Sequence, residues 1–309
     1  MRNTFVRTLT EIGKKDKNVI LLTGDLGFNA LEPFSDACPL QYLNVGIAEQ
    51  NMVGVAAGLA MSGKRVFCYS IIPFVTFRCC EHVRDDLAYH NLPVTMVGVG
   101  SGYAYGILGS THHSLEDVAV LRSFPNMTVI CPGDPLEVEA AMNALANYNG
   151  PCYLRLGKAG EPNIHKGKLE DFEIGKSITI RDGSDVTIVA TGSMLQTAAE
   201  AADLLEKEGT SVRLVSMHTL KPLDEEVIGK ASKETGLIVT LEEHSHIGGL
   251  SSAVAQVLSK ESSHAPHLTI AAPDVFANDV GSQKYFREKD GLTPEGVLEK
   301  ILTTLKAHA

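Results

Sequence analysis

The stretch NVGIAEQNMVGVAAGLAMSG, residues 44–63, is the key to both the fold and the chemistry of this chain. It reads as an almost purely apolar helix opening on a single carboxylate, Glu49, with four glycines and several alanines around it. The charge has two readings. A first-turn Glu complements the positive end of a helix dipole. Alternatively, it is a catalytic carboxylate held in a dry pocket. Gly54 and Gly58 are expected to allow close packing of this helix.

On either side, short β-branched runs alternate with helical patterns. NVILLTGD (18–25), RVFCYSI (65–71), PVTMVGVG (93–100), MTVICPG (127–133) and CYLRL (152–156) read as strands. Helical stretches lie near 3–15, 49–62, 74–90, 115–123 and 135–147. This βαβα rhythm predicts a parallel sheet with helices on both faces. Residues 157–177, GKAGEPNIHKGKLEDFEIGKS, have little apolar periodicity and read as an interdomain linker. The rhythm restarts at DVTIVATG and runs to a last helix near Thr293, with Pro294 in its first turn. The expected fold class is α/β in two domains, each a mostly parallel sheet flanked by helices. The boundaries are 1–160, a linker at 161–180, and a smaller domain at 181–309.

The 309 residues are 44% hydrophobic and 21% charged, ample for a packed core. A formal net charge of -10 with no strongly basic block argues against nucleic acid as a partner. No run of about 18 uninterrupted apolar residues occurs, so no membrane span is expected. The first residues, MRNTFVRTLTEIGKKDKN, read as an amphipathic helix and not a signal peptide. Six cysteines (Cys38, Cys68, Cys79, Cys80, Cys131, Cys152) form no CxxC pair and are expected to be reduced, in a cytoplasmic protein.

Ligands of doubly wound sheets collect at the C-terminal ends of strands. Asp25, Glu49, Phe74, Phe77, Arg78, the loop GSGYAYGILGSTHHSLED (100–117) and Lys158 all follow predicted strands. Each also has a structural reading. Asp25 could cap a turn; Phe74 and Phe77, at i, i+3 spacing, could be core; His112 and His113 could be polar loop residues; Lys158 could be a solvated charge. THH lacks zinc-ligand spacing, and neither GxGxxG nor a Walker pattern appears, so no metal site is expected on this chain.

In order, GIAEQNMVGVAAGLAMSG, YSIIPFVTFR, LGSTHHSLEDVAVLRSFPNMTVICPGDPLE, GPCYLRLGK and EEHSHIGGL make the chain resemble the transketolase family of thiamine diphosphate enzymes. The resemblance covers essentially the whole chain, as a pyrimidine-binding domain plus a C-terminal domain. It implies that Glu49 hydrogen-bonds N1′ of the cofactor's aminopyrimidine and promotes deprotonation of thiazolium C2. It implies that Phe74 stacks on the pyrimidine with Phe77 beside it, and that Asp25 lies near the cofactor. By the same resemblance, His112 contacts the reacting hydroxyl or oxyanion of the ketose. Arg2, Asn29 and Lys158 fall near positions that bind a sugar phosphate, Lys158 replacing a bidentate arginine with a point charge.

Three departures stand out. Leu108 occupies the place of an Asp that reads a substrate hydroxyl. Gly100 or Ser101 occupies that of a loop histidine, leaving one phosphate or diphosphate contact unassigned. The GDG…N motif that would hold Mg²⁺ and the diphosphate is absent from the sequence. The resemblance therefore implies the C-terminal subunit of a split transketolase, working with a separate N-terminal subunit in an α₂β₂ assembly. Its partners would be sugar substrates, with no nucleic acid or membrane. Rival readings are a 1-deoxy-D-xylulose-5-phosphate synthase-like half, a 2-oxo acid dehydrogenase β subunit, or a non-catalytic scaffold.

Overall fold

The computed structural model describes residues 1–308. Among them, the first part of the chain forms strands β1 (Val19–Thr23), β2 (Tyr42–Asn44), β3 (Arg65–Ile71), β4 (Val94–Val99), β5 (Thr128–Ile130) and β6 (Cys152–Leu156). The later part forms β7 (Ile178–Arg181), β8 (Val186–Ala190), β9 (Val212–Ser216), β10 (Thr219–Lys221), β11 (Leu237–Ser245) and β12 (His267–Ala272). A seven-stranded sheet has the order β10-β5-β6-β4-β3-β1-β2, and a five-stranded sheet the order β12-β11-β8-β9-β7. Neighbours are parallel except β10 on β5 and β7 on β9. Strands β4 and β6 are buried at every position, as a parallel sheet covered on both faces requires.

Helices α1 (Arg2–Lys15), α2 (Glu32–Ala37), α3 (Glu49–Met61), α4 (Ile72–Val75), α5 (Cys80–His82), α6 (Asp117–Arg122) and α7 (Pro135–Leu145) accompany the first sheet. Helices α8 (Met194–Lys207), α9 (Glu225–Glu234), α10 (Leu250–Leu258), α11 (Gln283–Asp290) and α12 (Pro294–His308) accompany the second. Two apolar cores sandwich the first sheet. One gathers Phe5 and Leu9 of α1, Phe34 of α2 and Val138 of α7. The other gathers Met52 and Val53 of α3, Val83, Leu87 and Leu121. Pro135 opens α7, and the Asp134 side chain accepts from the Glu137 amide at 2.8 Å, a capping arrangement written plainly in PGDPLE.

The chain departs from the expected pattern in four places. The helix expected over 74–90 is broken into α4, α5 and a π-helical turn at Val83–Tyr89. Pro73 sits in the first turn of α4, and the Thr76 hydroxyl turns back to the Ile72 carbonyl (2.7 Å), so regular helix stops after one turn. Phe74, Phe77 and Arg78 therefore sit at a bend and not along a core stripe. Secondly, residues 178–180 of the expected linker belong to the edge strand β7. Thirdly, β10 leaves the second half of the chain to pair with β5, helped by the Cys131 amide donating to the His218 carbonyl (2.7 Å). Finally, a Cβ added at Gly54 or Gly58 would meet nothing within 4 Å, so neither glycine serves close packing inside this chain.

The remaining linker is pinned to α7. Asp134 accepts from the amides of Ile164 (2.8 Å) and His165 (3.0 Å). The His165 ring meets buried Glu137 at 2.7 Å, and the Ser216 hydroxyl of β9 donates to the same carboxylate at 2.5 Å. Deeper in the joint, Arg155 of β6 donates to Asp117 of α6 (2.8 Å) and to the carbonyls of Ser114 (2.7 Å) and Glu243 (3.1 Å). Burial alone would raise the Asp117 carboxyl, but the Arg155 guanidinium outweighs it and holds the group below its ordinary value. Removing one member of such a buried pair costs about 3–5 kcal/mol.

Candidate active site

Parallel pairing of β2, β1, β3, β4 and β6 brings their C-terminal ends to one edge of the sheet. Glu49, the first residue of α3, lies at that edge and is 2% exposed. Gly24, just past β1, makes room for it: a Cβ there would lie 3.2 Å from the Glu49 Cγ. The Arg78 guanidinium donates to Glu49 Oε2 at 2.7 Å and lies over the Phe74 ring, 4.4 Å from its centroid. The His112 ring meets Phe74 edge-on at 5.3 Å. Glu49, Arg78, Phe74 and His112 thus form one contiguous group. Cys79, beside it, is pushed up to about 12 by burial and the Glu49 charge, which leaves an inert thiol.

The adjacent histidines part company. His112 is half-buried, and Nδ1 meets the Thr111 hydroxyl at 3.0 Å. His113 points inward against Tyr103 (5.2 Å) and Phe286 (5.1 Å), and burial lowers its pKa, so the ring is neutral. Glu243 of β11 holds this loop in place. Its carboxylate accepts from the Tyr103 amide (3.2 Å), Gln283 (2.9 Å) and Arg287 (2.5 Å). Glu242 instead caps α10 through the amides of Leu250 (2.7 Å) and Ser251 (2.8 Å). The EEHSHIGGL stretch therefore braces a helix with one carboxylate and the site loop with the other.

The Lys158 ammonium lies 5.0 Å from the Tyr105 ring centroid, and the Arg2 charge favours the ionised form of both the Tyr69 and Tyr105 phenols, although burial raises the pKa of each. The other expected site residues are placed differently. Asp25 adopts a left-handed conformation (φ 57°) and exchanges hydrogen bonds with Asn44, its amide donating at 3.0 Å and its carboxylate accepting at 2.9 Å. It braces the turn that leads into Glu49. Asn29 (φ 59°) lines a groove with Val6 and Thr10 of α1, outside the contacts around Tyr105. Phe77 is at the rim, 37% exposed, and Leu108 is half exposed. Sequence reasoning noticed Arg78 only as a neighbour of β3 and gave Glu243 no role. Spacing cannot find either, because both act across long stretches of chain.

Residues 1–161 match the family described as transketolase, pyrimidine binding domain, and residues 175–297 match transketolase, C-terminal domain. The chain is 40% identical to an apulose-4-phosphate transketolase subunit of Phocaeicola vulgatus, over 99% of this chain and 97% of that one. It is 38% identical to a 6-deoxy-6-sulfo-D-fructose transketolase subunit of a Clostridium species, over 96% and 92% of the two chains. Among solved structures it is similar to a split-gene transketolase described as an inactive β4 tetramer, with a TM-score of 0.89, 37% identity, and coverage of 99% and 97%.

The two sheets and the two domain matches define an α/β protein of a thiamine diphosphate-dependent family. The chain belongs to the transketolase family, with the domain content of the second subunit of its split members.

Proposed function

We propose that this chain is the C-terminal subunit of a two-chain transketolase that transfers a two-carbon ketol unit from a ketose, often phosphorylated, to an aldose. The observation that carries the reading is the seat of Arg78. A planar, N–H-bearing cation stacks on Phe74 and donates to buried Glu49. A carboxylate and an aromatic face so arranged fit a flat aminopyrimidine equally well, and Arg78, 44% exposed, has solvent to move into.

Thiamine diphosphate, when bound, supplies the electron sink for cleaving the bond beside a ketose carbonyl. Glu49 would hold the proton at the aminopyrimidine N1′, in a pocket from which α3 and the end of β1 exclude water. Phe74 would orient the ring by stacking, with Phe77 at the rim. Asp25 would keep the 44–46 turn, and hence Glu49, in register. His112, whose Nδ1 is engaged by Thr111, keeps Nε2 for a substrate hydroxyl or oxyanion. Arg2 and Lys158 would hold an anionic end of the sugar, with Asn29 at the edge of that region.

The diphosphate and Mg²⁺ would be held mainly by a partner chain carrying the missing GDG…N motif. Apolar surface running from the site supports such a partner: Leu43 and Ile47 are exposed, and Asn51, Gly54, Gly58 and Met61 form a bare face of α3. An α₂β₂ enzyme follows, and the inactive tetramer of the similar solved chain fits a subunit that is idle alone. The described residues contain no helix long and apolar enough to cross a membrane, and all six cysteines are free, which fits a cytoplasmic site of action.

The experiment is reconstitution with the chain carrying that motif, assayed for aldose release from a ketose phosphate. Transfer by the pair and by neither chain alone supports the reading. Decarboxylation of pyruvate without ketol transfer would move it to the deoxyxylulose phosphate synthase type, and acylation of lipoamide to the 2-oxo acid dehydrogenase type.

A further inference from the structure

The loop position where the resemblance places a histidine is Gly100, and the structure shows what fills its space. Gly100 has φ 95°, and a Cβ there would fall 2.2 Å from the Tyr105 ring. The Tyr105 ring therefore stands against the Gly100 backbone, where a side chain at 100 would begin. Lys158 lies over that ring, and the Arg2 charge favours the ionised form of its phenol. Unlike Tyr103, whose hydroxyl donates to Asp290 at 2.7 Å, Tyr105 has no protein hydrogen-bond partner among the described residues. The Arg2 Nε is buried and likewise unpartnered. One carboxylate borders the group, Glu161, against Gly157. A cation over the ring, a phenol without a protein partner and the unpartnered Arg2 Nε supply donors for a tetrahedral oxyanion at the ligand edge of the sheet.

We infer that Tyr105 is a substrate-recognition residue whose hydroxyl, with Arg2 and Lys158, binds the phosphate end of the sugar in place of the absent loop histidine. The inference rests on the reading under Proposed function for the identity of the sugar, but not for the anion site itself. A phenol donor on a ring packed against Gly100 with Lys158 over it is pre-oriented, so it adds selectivity for an anionic end over a hydroxyl at the same place. Tyr105→Phe keeps the ring that packs on Gly100 and removes only the donor.

The first test uses the chain alone with inorganic phosphate as probe. Its eight tyrosines are labelled at ¹³Cζ, and Tyr69 and Tyr105 are identified from the signals lost in Tyr69→Phe and Tyr105→Phe. Both signals should shift saturably with phosphate. Read at Tyr69, phosphate should bind the Tyr105→Phe chain at least about threefold more weakly. Unmoved signals, or equal affinity in the variant, overturn the inference. The second test uses the reconstituted enzyme and separates substrate phosphate from free phosphate. Tyr105→Phe should raise KM for a phosphorylated aldose about tenfold, change kcat far less, and leave KM for the unphosphorylated aldose in place. A wild-type enzyme that transfers ketol groups while Tyr105→Phe shows unchanged KM sinks the inference and spares the function. Absence of ketol transfer in the wild type sinks the function, and the phosphate titration still decides the anion site.

Discussion

Glu49 carries one carboxylate that two neighbours claim. Arg78 neutralises it, and the mouth of α3 favours a negative charge by about 0.3–1 kcal/mol. Glu49→Gln preserves shape and hydrogen bonding to Arg78 but removes the proton-holding group. Turnover of the reconstituted enzyme should fall at least about a hundredfold, about 3 kcal/mol, with the melting midpoint only slightly lowered. The two histidines offer a paired contrast. His112→Ala should lower ketose turnover at least about tenfold and leave cofactor affinity within a few-fold, measured by calorimetry on the complex. His113→Ala should instead destabilise the chain by on the order of 2 kcal/mol in urea, because its neutral ring packs between Tyr103 and Phe286. Leu108, half exposed at the end of the same loop, offers an acceptor no hydrogen bond. Leu108→Asp should therefore raise kcat/KM for a 2-hydroxyaldehyde relative to its 2-deoxy counterpart, by about 1–3 kcal/mol in selectivity.

At the scale of elements, the joint between the two sheets is built from buried charges, and one of them is a histidine whose pKa is raised. Burial pulls His165 down, but the Glu137 carboxylate outweighs burial and raises its pKa. Such a group stabilises the fold fully below the ordinary histidine value of about 6.5 and loses its contribution as pH rises through the raised one. The Glu137 carboxyl is held low despite burial, by His165 first, so its contribution is lost only in acid. The stability advantage of the wild type over His165→Gln, from urea midpoints, should shrink as pH rises above neutrality; an advantage constant with pH would show that the pair does not anchor the linker. The alternation of strands and helices was legible because each element carries its own period and turn residues. Glu49, Phe74 and His112 were legible by resemblance, and the structure brings them together. What stayed hidden depends on distant chain. β10 is three residues long and is a strand only because β5 lies beside it. The break at Thr76 comes from one backward-turned hydroxyl, and Glu243 reaches the site loop only through the fold.

At the scale of the whole molecule, the chain has a site edge without a complete site. The bare face of α3, which starts at Glu49, and exposed Leu43 and Ile47 would be costly to leave in water at high concentration. The isolated chain should therefore fold, self-associate and bind thiamine diphosphate with Mg²⁺ only weakly; tight Mg²⁺-dependent binding by calorimetry would contradict a divided site. The most direct measurement is hydrogen–deuterium exchange at C2 of the bound cofactor, followed by NMR in the reconstituted two-chain enzyme. If Glu49 is the activating carboxylate, exchange is fast with the wild-type chain and slowed at least about a hundredfold with Glu49→Gln at equal cofactor occupancy. Equal exchange rates in the two would contradict the account.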